Sequence, residues 1–229
     1  TVPPDERLGV PLQATRAAVT PQTRLVFFAS PANPSGLLVP RETIAGIAEA
    51  LPPGAAVFLD EAYADFADDN FLEQLDRWPN VLVGRTFAKA YGLAGLRAGA
   101  VIGSAEAIRR LQRVVPPYSL NAVVAAVLPI ALDDREHVAW YRAQVEESRE
   151  LVYDACRRLG LRYWPSHANF VLVHFGEALA RVVSGLSARR IHVRDRSSQP
   201  GCAGCARITA GVVAHTRACL RALEEVLAE

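Results

Sequence analysis

Short apolar runs alternate with helical patterns through the first half of the chain. Leu25-Val26-Phe27-Phe28-Ala29 reads as a buried strand, closed by Ser30-Pro31. From Arg41 to Leu51 the apolar positions Ile44, Ile47, Ala48 and Leu51 fall on one helical stripe. Pro40 stands at its start, where a missing N–H costs nothing, and Pro52-Pro53-Gly54 stops it. Ala56–Leu59, ending at Asp60, is a second buried strand; Val81–Gly84 is a third and Ala98–Ile102 a fourth. Strands this apolar, some separated by helices, predict a mostly parallel sheet covered on both faces, an α/β arrangement. In such sheets the ligand crevice lies beyond the carboxyl ends of the strands.

The second half changes character. Asn121–Leu132 reads as a mostly apolar helix and Glu136–Leu159 as one long helix with a charged side, capped at Gly160. Short strands follow at Phe170–Val173, Ile191–Val193 and Arg207–Ala210, then an amphipathic helix from about His215 to Leu227. This mix predicts a smaller α+β domain after the sheet, dividing the chain into 1–135 and 136–229.

Composition narrows the classes. The 229 residues are 51% hydrophobic and 21% charged, enough to bury a sizeable core. Lys plus Arg number 25 against 24 Asp plus Glu, a net charge of +1 that argues against a nucleic-acid partner. No apolar run approaches the roughly 20 residues of a membrane span. The first residues, Thr1 to Glu6, lack a signal-peptide pattern, so a cytoplasmic location is expected. Of the four cysteines, Cys202 and Cys205 form a C-x-x-C pair in a Pro-Gly-Cys-Ala-Gly-Cys turn. Neither Cys156 nor Cys219 supplies the spacing for a zinc site, so no metal is expected and two free thiols in a loop is the preferred reading.

Four features could carry chemistry. The turn Ser30–Gly36 could hold Asn33 over the crevice, although Asn-Pro and Ser-Gly are also plain turn formers. Asp60-Glu61-Ala62-Tyr63 follows a buried strand, and a carboxylate there needs a cation, an arginine or water. Thr86-Phe87-Ala88-Lys89 precedes Gly92-Leu93-Ala94-Gly95-Leu96-Arg97. A lysine in that apolar, small-residue setting could act as a nucleophile, with Thr86 and Arg97 as phosphate ligands. A surface lysine beside a turn is the alternative. Arg194 and Arg207 could bind an anion, or could be solvated charges.

In order and spacing these segments resemble the signature set of fold-type I pyridoxal-phosphate enzymes. The run from Arg85 to Arg97 is similar to the lysine segment of histidinol-phosphate aminotransferases. Pro116–Asn121 and Val193–Ser197 with Gly201-Cys202 and Arg207-Ile208-Thr209 are similar to further segments of that family. The resemblance runs from about Leu25 to the C-terminus. It implies pyridoxal 5'-phosphate as cofactor, bound as a Schiff base to Lys89, which then moves a proton between substrate and cofactor. It implies that Asp60 pairs with the pyridine nitrogen, that Tyr63 and Asn33 bond the ring hydroxyl oxygen, and that Thr86 and Arg97 hold the cofactor phosphate. Arg207 and Arg194 are implied for an anionic substrate, with Tyr118 and Asn121 lining the same pocket.

The implied reaction is transamination of L-histidinol phosphate with 2-oxoglutarate in histidine biosynthesis, by a homodimer. A threonine-phosphate decarboxylase, an aromatic amino-acid aminotransferase and the aminotransferase-like module of a transcription regulator are the alternatives. The resemblance departs in two places. Ala88 stands where many relatives carry serine. The family's N-terminal arm, Gly-rich loop and stacking aromatic have no counterpart before Leu25, so the chain is expected to be a fragment lacking about 100 residues and not fully active.

Overall fold

The computed structural model describes residues 1–229 as two sheets with helices packed on them. A short helix, α1 (Leu12–Ala17), leads into strand β1 (Leu25–Ala29). Helix α2 (Arg41–Ala50) then crosses over to β2 (Ala56–Asp60), which lies parallel to β1 with Leu25 opposite Ala56. Strand β3 (Val81–Thr86) is parallel to β2, and β4 (Gly99–Ile102) returns antiparallel beside β3. The sheet order is therefore β1-β2-β3-β4, parallel except at its last pair. Residues 87–98, with one 3-10 turn at Ala94–Leu96, join β3 to β4.

Ile44, Ile47 and Ala48 of α2 lie against Val57, Leu59, Val81 and Val83, forming the core of this sheet. Each of these Val, Leu and Ile side chains contributes about 1.5–3 kcal/mol on burial.

Helix α3 (Ala105–Gln112) is capped by Ser104 Oγ, which accepts from Ala107 N at 3.3 Å. Helix α4 (Ala122–Asp133) begins at Asn121, whose Oδ1 accepts from Val124 N at 2.9 Å. Helix α5 (Arg135–Arg158) runs for 24 residues. Gly160 ends it at φ +67°, with Leu161 N donating to Cys156 O and Gly160 N to Arg157 O, a Schellman arrangement.

The second sheet has the order β5-β6-β8-β7, all antiparallel: β5 (Arg162–Trp164), β6 (Phe170–His174), β7 (Arg194–Asp195) and β8 (Cys205–Thr209). Helices α6 (Leu179–Ala188) and α7 (Val213–Ala228) pack on it with the C-terminal half of α5, burying Val152, Val171, Val182, Leu186, Ile208 and Leu223. No helix is long and apolar enough to cross a membrane.

The structure departs from the sequence pattern in three places. Ile191–Val193 is not a strand; Ile191 N closes the end of α6 on Leu186 O, and the ladder begins at Arg194, opposite Arg207. Helices α1, α3 and α6 and strand β5 form where the pattern assigns no element. The C-x-x-C thiols are free, as expected; Cys202 lies in the turn, whereas Cys205 opens β8, and both are buried beside Leu8, Trp164 and Leu172.

Candidate active site

The three parallel strands bring their carboxyl ends to one edge, and the chain after each carries a candidate residue. Asn33 follows β1, Asp60 closes β2 with Tyr63 just beyond it, and Thr86 closes β3 with Lys89 just beyond. Backbone bonds lace these ends together: Ser30 N donates to Asp60 O and Glu61 N to Gly84 O, each at 2.9 Å. Of these residues Tyr63 and Lys89 reach the cleft described below.

Lys89 sits in the loop joining β3 to β4. Gly92 N turns back on Lys89 O at 3.1 Å, and Leu93 N on Phe87 O at 3.0 Å. Gly92, at φ +69°, permits that reversal. Lys89 Nζ lies 5.3 Å from the centre of the Tyr63 ring. The Tyr63 ring meets Phe170 of β6 edge-on at 5.0 Å, and the Arg207 guanidinium lies over the Phe170 ring, 4.7 Å from its centre. Lys89, Tyr63, Phe170 and Arg207 therefore form a continuous wall, cation to aromatic to aromatic to cation.

They line a cleft of about 390 Å³ together with Ala88, Gly92, Tyr141, Asn169 and Thr209. Its residues come from both sheets and from α5, and its size suits a small-molecule ligand.

Asn33 closes one side. Its Oδ1 accepts from Arg207 Nη1 at 2.9 Å and from Arg196 Nη2 at 3.2 Å. The turn that carries it is tied to the second sheet's side by His167 N, which donates to Gly36 O at 2.8 Å. With its oxygen engaged by two donors, the Asn33 amide has its Nδ2 left to donate.

Asp60 is exposed, and its Oδ1 accepts from Ala62 N at 3.0 Å. Its neighbour Glu61 is the buried carboxylate of this segment, 2% exposed. Glu61 Oε1 accepts from Phe71 N at 2.7 Å, and Oε2 meets Arg85 Nη2 at 2.7 Å. Burial raises the Glu61 carboxyl above its ordinary value, opposed by the Phe71 N–H and the Arg85 charge. The pair braces the strand ends beneath Asp60 and leaves Asp60 itself free of any arginine.

Thr86 Oγ1 accepts from Ala88 N at 3.2 Å, which leaves its proton to donate. Arg97 adopts a left-handed conformation, φ +56°, and donates to Ala94 O at 3.1 Å. Both lie at the β3–β4 loop, outside the cleft lining.

Arg194 is exposed and stands opposite Arg207 in the β7–β8 ladder. Tyr118 is fully exposed and Asn121 is occupied as a helix cap, so neither joins the cleft. Tyr141, Asn169 and Arg196 are site residues that the sequence pattern does not single out. Asn169 carries one signal, as the polar residue opening an apolar strand; Tyr141 and Arg196 carry no periodic signal.

An amine and a phenol thus meet in the cleft, and a carboxylate, a carboxamide, a hydroxyl and a guanidinium follow the strands of the same sheet edge. This donor set fits a phosphorylated aromatic heterocycle bearing an aldehyde. Comparison with known proteins agrees. Residues 2–226 match the family model described as aminotransferase class I and II. The chain is 38% identical to histidinol-phosphate aminotransferase 2 of Ralstonia nicotianae, covering 99% of this chain and 62% of that protein. It is 36% identical to histidinol-phosphate aminotransferase of Moorella thermoacetica, covering 95% and 57%. The chain therefore spans about three-fifths of the length of these curated relatives.

The crystal structure of histidinol-phosphate aminotransferase from Sinorhizobium meliloti, in complex with pyridoxal-5'-phosphate, superposes with a TM-score of 0.85 at 30% identity. That match covers 98% of this chain and 62% of that one. By its strand order, by the residues at its strand ends and by these matches, the chain belongs to the class I and II aminotransferase family.

Proposed function

We propose that the protein bearing this chain transfers an amino group between L-histidinol phosphate and 2-oxoglutarate, using pyridoxal 5'-phosphate held on Lys89. The observation that carries this reading is the position of Lys89 Nζ, 5.3 Å from the Tyr63 ring and across the cleft from Arg207. The relatives named for this reaction support it.

The cofactor, when bound, supplies an electron sink that lets a carbon next to nitrogen lose a proton. In this reading Lys89 would hold the cofactor through its aldehyde group, and its amine, once freed by the substrate, would carry the proton from the substrate carbon. Asp60 keeps a proton on the pyridine nitrogen, since a carboxylate beside it favours the charged form. Tyr63 Oη and Asn33 Nδ2 donate to the ring oxygen and set the ring's tilt. Thr86 Oγ1 and Arg97 hold the cofactor phosphate; Ala88, in place of a hydroxyl residue, leaves them without a third side-chain donor.

Arg207 and Arg194 attract the substrate anion. Residues 1–135 form the cofactor side in this scheme, and residues 136–229 the linking helix and substrate side. We further assign the protein to the cytoplasm and expect a homodimer.

Borohydride reduction of the full-length protein with pyridoxal phosphate, followed by peptide mass mapping, tests the reading. The expected result is a pyridoxyl adduct on Lys89 that Lys89→Ala abolishes. An adduct elsewhere, or none, overturns it. Turnover that depends on 2-oxoglutarate without release of carbon dioxide separates transfer from decarboxylation.

A further inference from the structure

Three guanidinium groups gather at the second-sheet side of the cleft. Arg207 and Arg196 donate to the same atom, Asn33 Oδ1, at 2.9 and 3.2 Å. Arg194 stands opposite Arg207 across the β7–β8 ladder. None of the three is among the chain's ion-paired arginines. The carboxylate nearest in sequence, Asp195, is turned to its own loop, where it accepts from Ser197 N and Oγ.

Two like charges sharing one neutral acceptor repel each other, and the folded chain provides no anion to offset them. Burial lowers the Arg196 pKa, and the charges of Arg207 and then Arg194 lower it further. Arg196 Nε and Arg207 Nε are both buried without a hydrogen-bond partner. Neither guanidinium has a carboxylate partner, so the charge of both is left for a ligand to balance at their outer nitrogens.

We infer that Arg196 is a specificity-determining residue of this site: paired with Arg207 on Asn33, it makes the pocket select a substrate group bearing two negative charges. The inference rests on the proposed reading of the cleft and adds a residue to it. Each guanidinium has five donors in a planar fork, and Asn33 takes one from each. The rest are available to a phosphate monoester dianion, which presents three acceptor oxygens and enough charge for both groups. A single carboxylate neutralises only one of them. Arg194, exposed and without a hydrogen bond to Asn33, stands at the rim and adds longer-range attraction.

The test uses the full-length protein loaded with cofactor, so that the cofactor's own phosphate site is filled. Binding of inorganic phosphate is measured by calorimetry at pH 8 for the wild type, R196Q and R196K, with acetate as the singly charged comparison. R196Q is expected to weaken phosphate binding by on the order of tenfold while changing acetate binding by less than about twofold. R196K, which keeps the charge and loses the fork, is expected to fall between. Equal phosphate affinity in wild type and both variants overturns the inference, as does an equal loss for acetate. Borohydride mapping of the same wild-type sample separates the two levels. An absent Lys89 adduct overturns the aminotransferase reading and the inference that rests on it; with the adduct present, the phosphate comparison decides the role of Arg196 alone.

Discussion

Glu61 and Arg85 form a nearly buried ion pair, 2.7 Å between Oε2 and Nη2, directly behind the strand end that presents Asp60. Arg85 also reaches Asp65 at 3.2 Å, so one guanidinium spans two carboxylates. Arg85→Met leaves Glu61 buried without its cation and is expected to destabilise the fold by about 3–5 kcal/mol. Glu61→Gln keeps an acceptor for Phe71 N and is expected to cost less. Urea unfolding of the two variants checks the order; a milder loss for Arg85→Met than for Glu61→Gln would contradict this account.

The buried thiols make stability depend on alkaline pH. Burial pushes Cys156, Cys205 and Cys219 each up to about 11, against an ordinary value of 9.0. An acid raised in the folded state stabilises the fold fully below its unfolded pKa, and loses that contribution as pH climbs towards its folded pKa. Stability is therefore expected to decline as pH rises from 9.0 to about 11, by on the order of 1–3 kcal/mol for each buried thiol. At pH 8 the native chain should react slowly with Ellman's reagent and rapidly once unfolded in urea. Fast labelling of the native thiols at pH 8 would speak against their burial.

Gly36 holds the Asn33 turn at φ +75°, with Ser166 packed against the place a side chain would occupy. Gly36→Ala combines left-handed strain with a clash and is expected to cost at least about 1 kcal/mol. Because Gly36 O is also the acceptor for His167 N, the shift reaches Asn33 and should weaken cofactor binding. Thermal unfolding and a pyridoxal-phosphate absorbance titration measure the two effects. An unchanged melting temperature would remove the strain argument.

Asp60→Asn preserves an oxygen to accept from Ala62 N and removes only the charge. Under the proposed function it is expected to lower kcat by about 10²–10⁴-fold, the range for loss of a proton-controlling group, with little change in Tm. A large fall in Tm with kcat unchanged would assign Asp60 a structural role instead.

Much of this is legible in the residues themselves. The apolar runs of β1, β2 and β3 are uninterrupted, and polar residues follow each, so the sheet and its reactive edge can be read together. The buried carboxylate lies one residue beyond Asp60, and alternation holds the clue. Val57 and Leu59 face the core, and the next residue on that face is Glu61 rather than Asp60. Ile191 and Val193 look like strand residues because they are apolar and β-branched. That apolarity instead packs on the core beside the end of α6, and the ladder starts one residue later. Arg196 lies in a polar turn with no period to distinguish it. Only the fold brings it to Asn33, 163 residues earlier.

Helix α5 belongs to two cores at once. Its Val145 lies buried with Phe66 and Ala90, beside Lys89, while Val152, Ala155 and Cys156 are buried against the second sheet. Between them Arg149 donates to Phe66 O on one side, at 3.4 Å, and Ser166 O on the other, at 2.9 Å. At 1.5 Å per residue the rod is about 36 Å long, and neither end can rotate without shearing a packed interior. One rod thus backs both walls of the cleft and carries Tyr141 into it between Lys89 and Arg207, so a substitution along the helix is felt on either side.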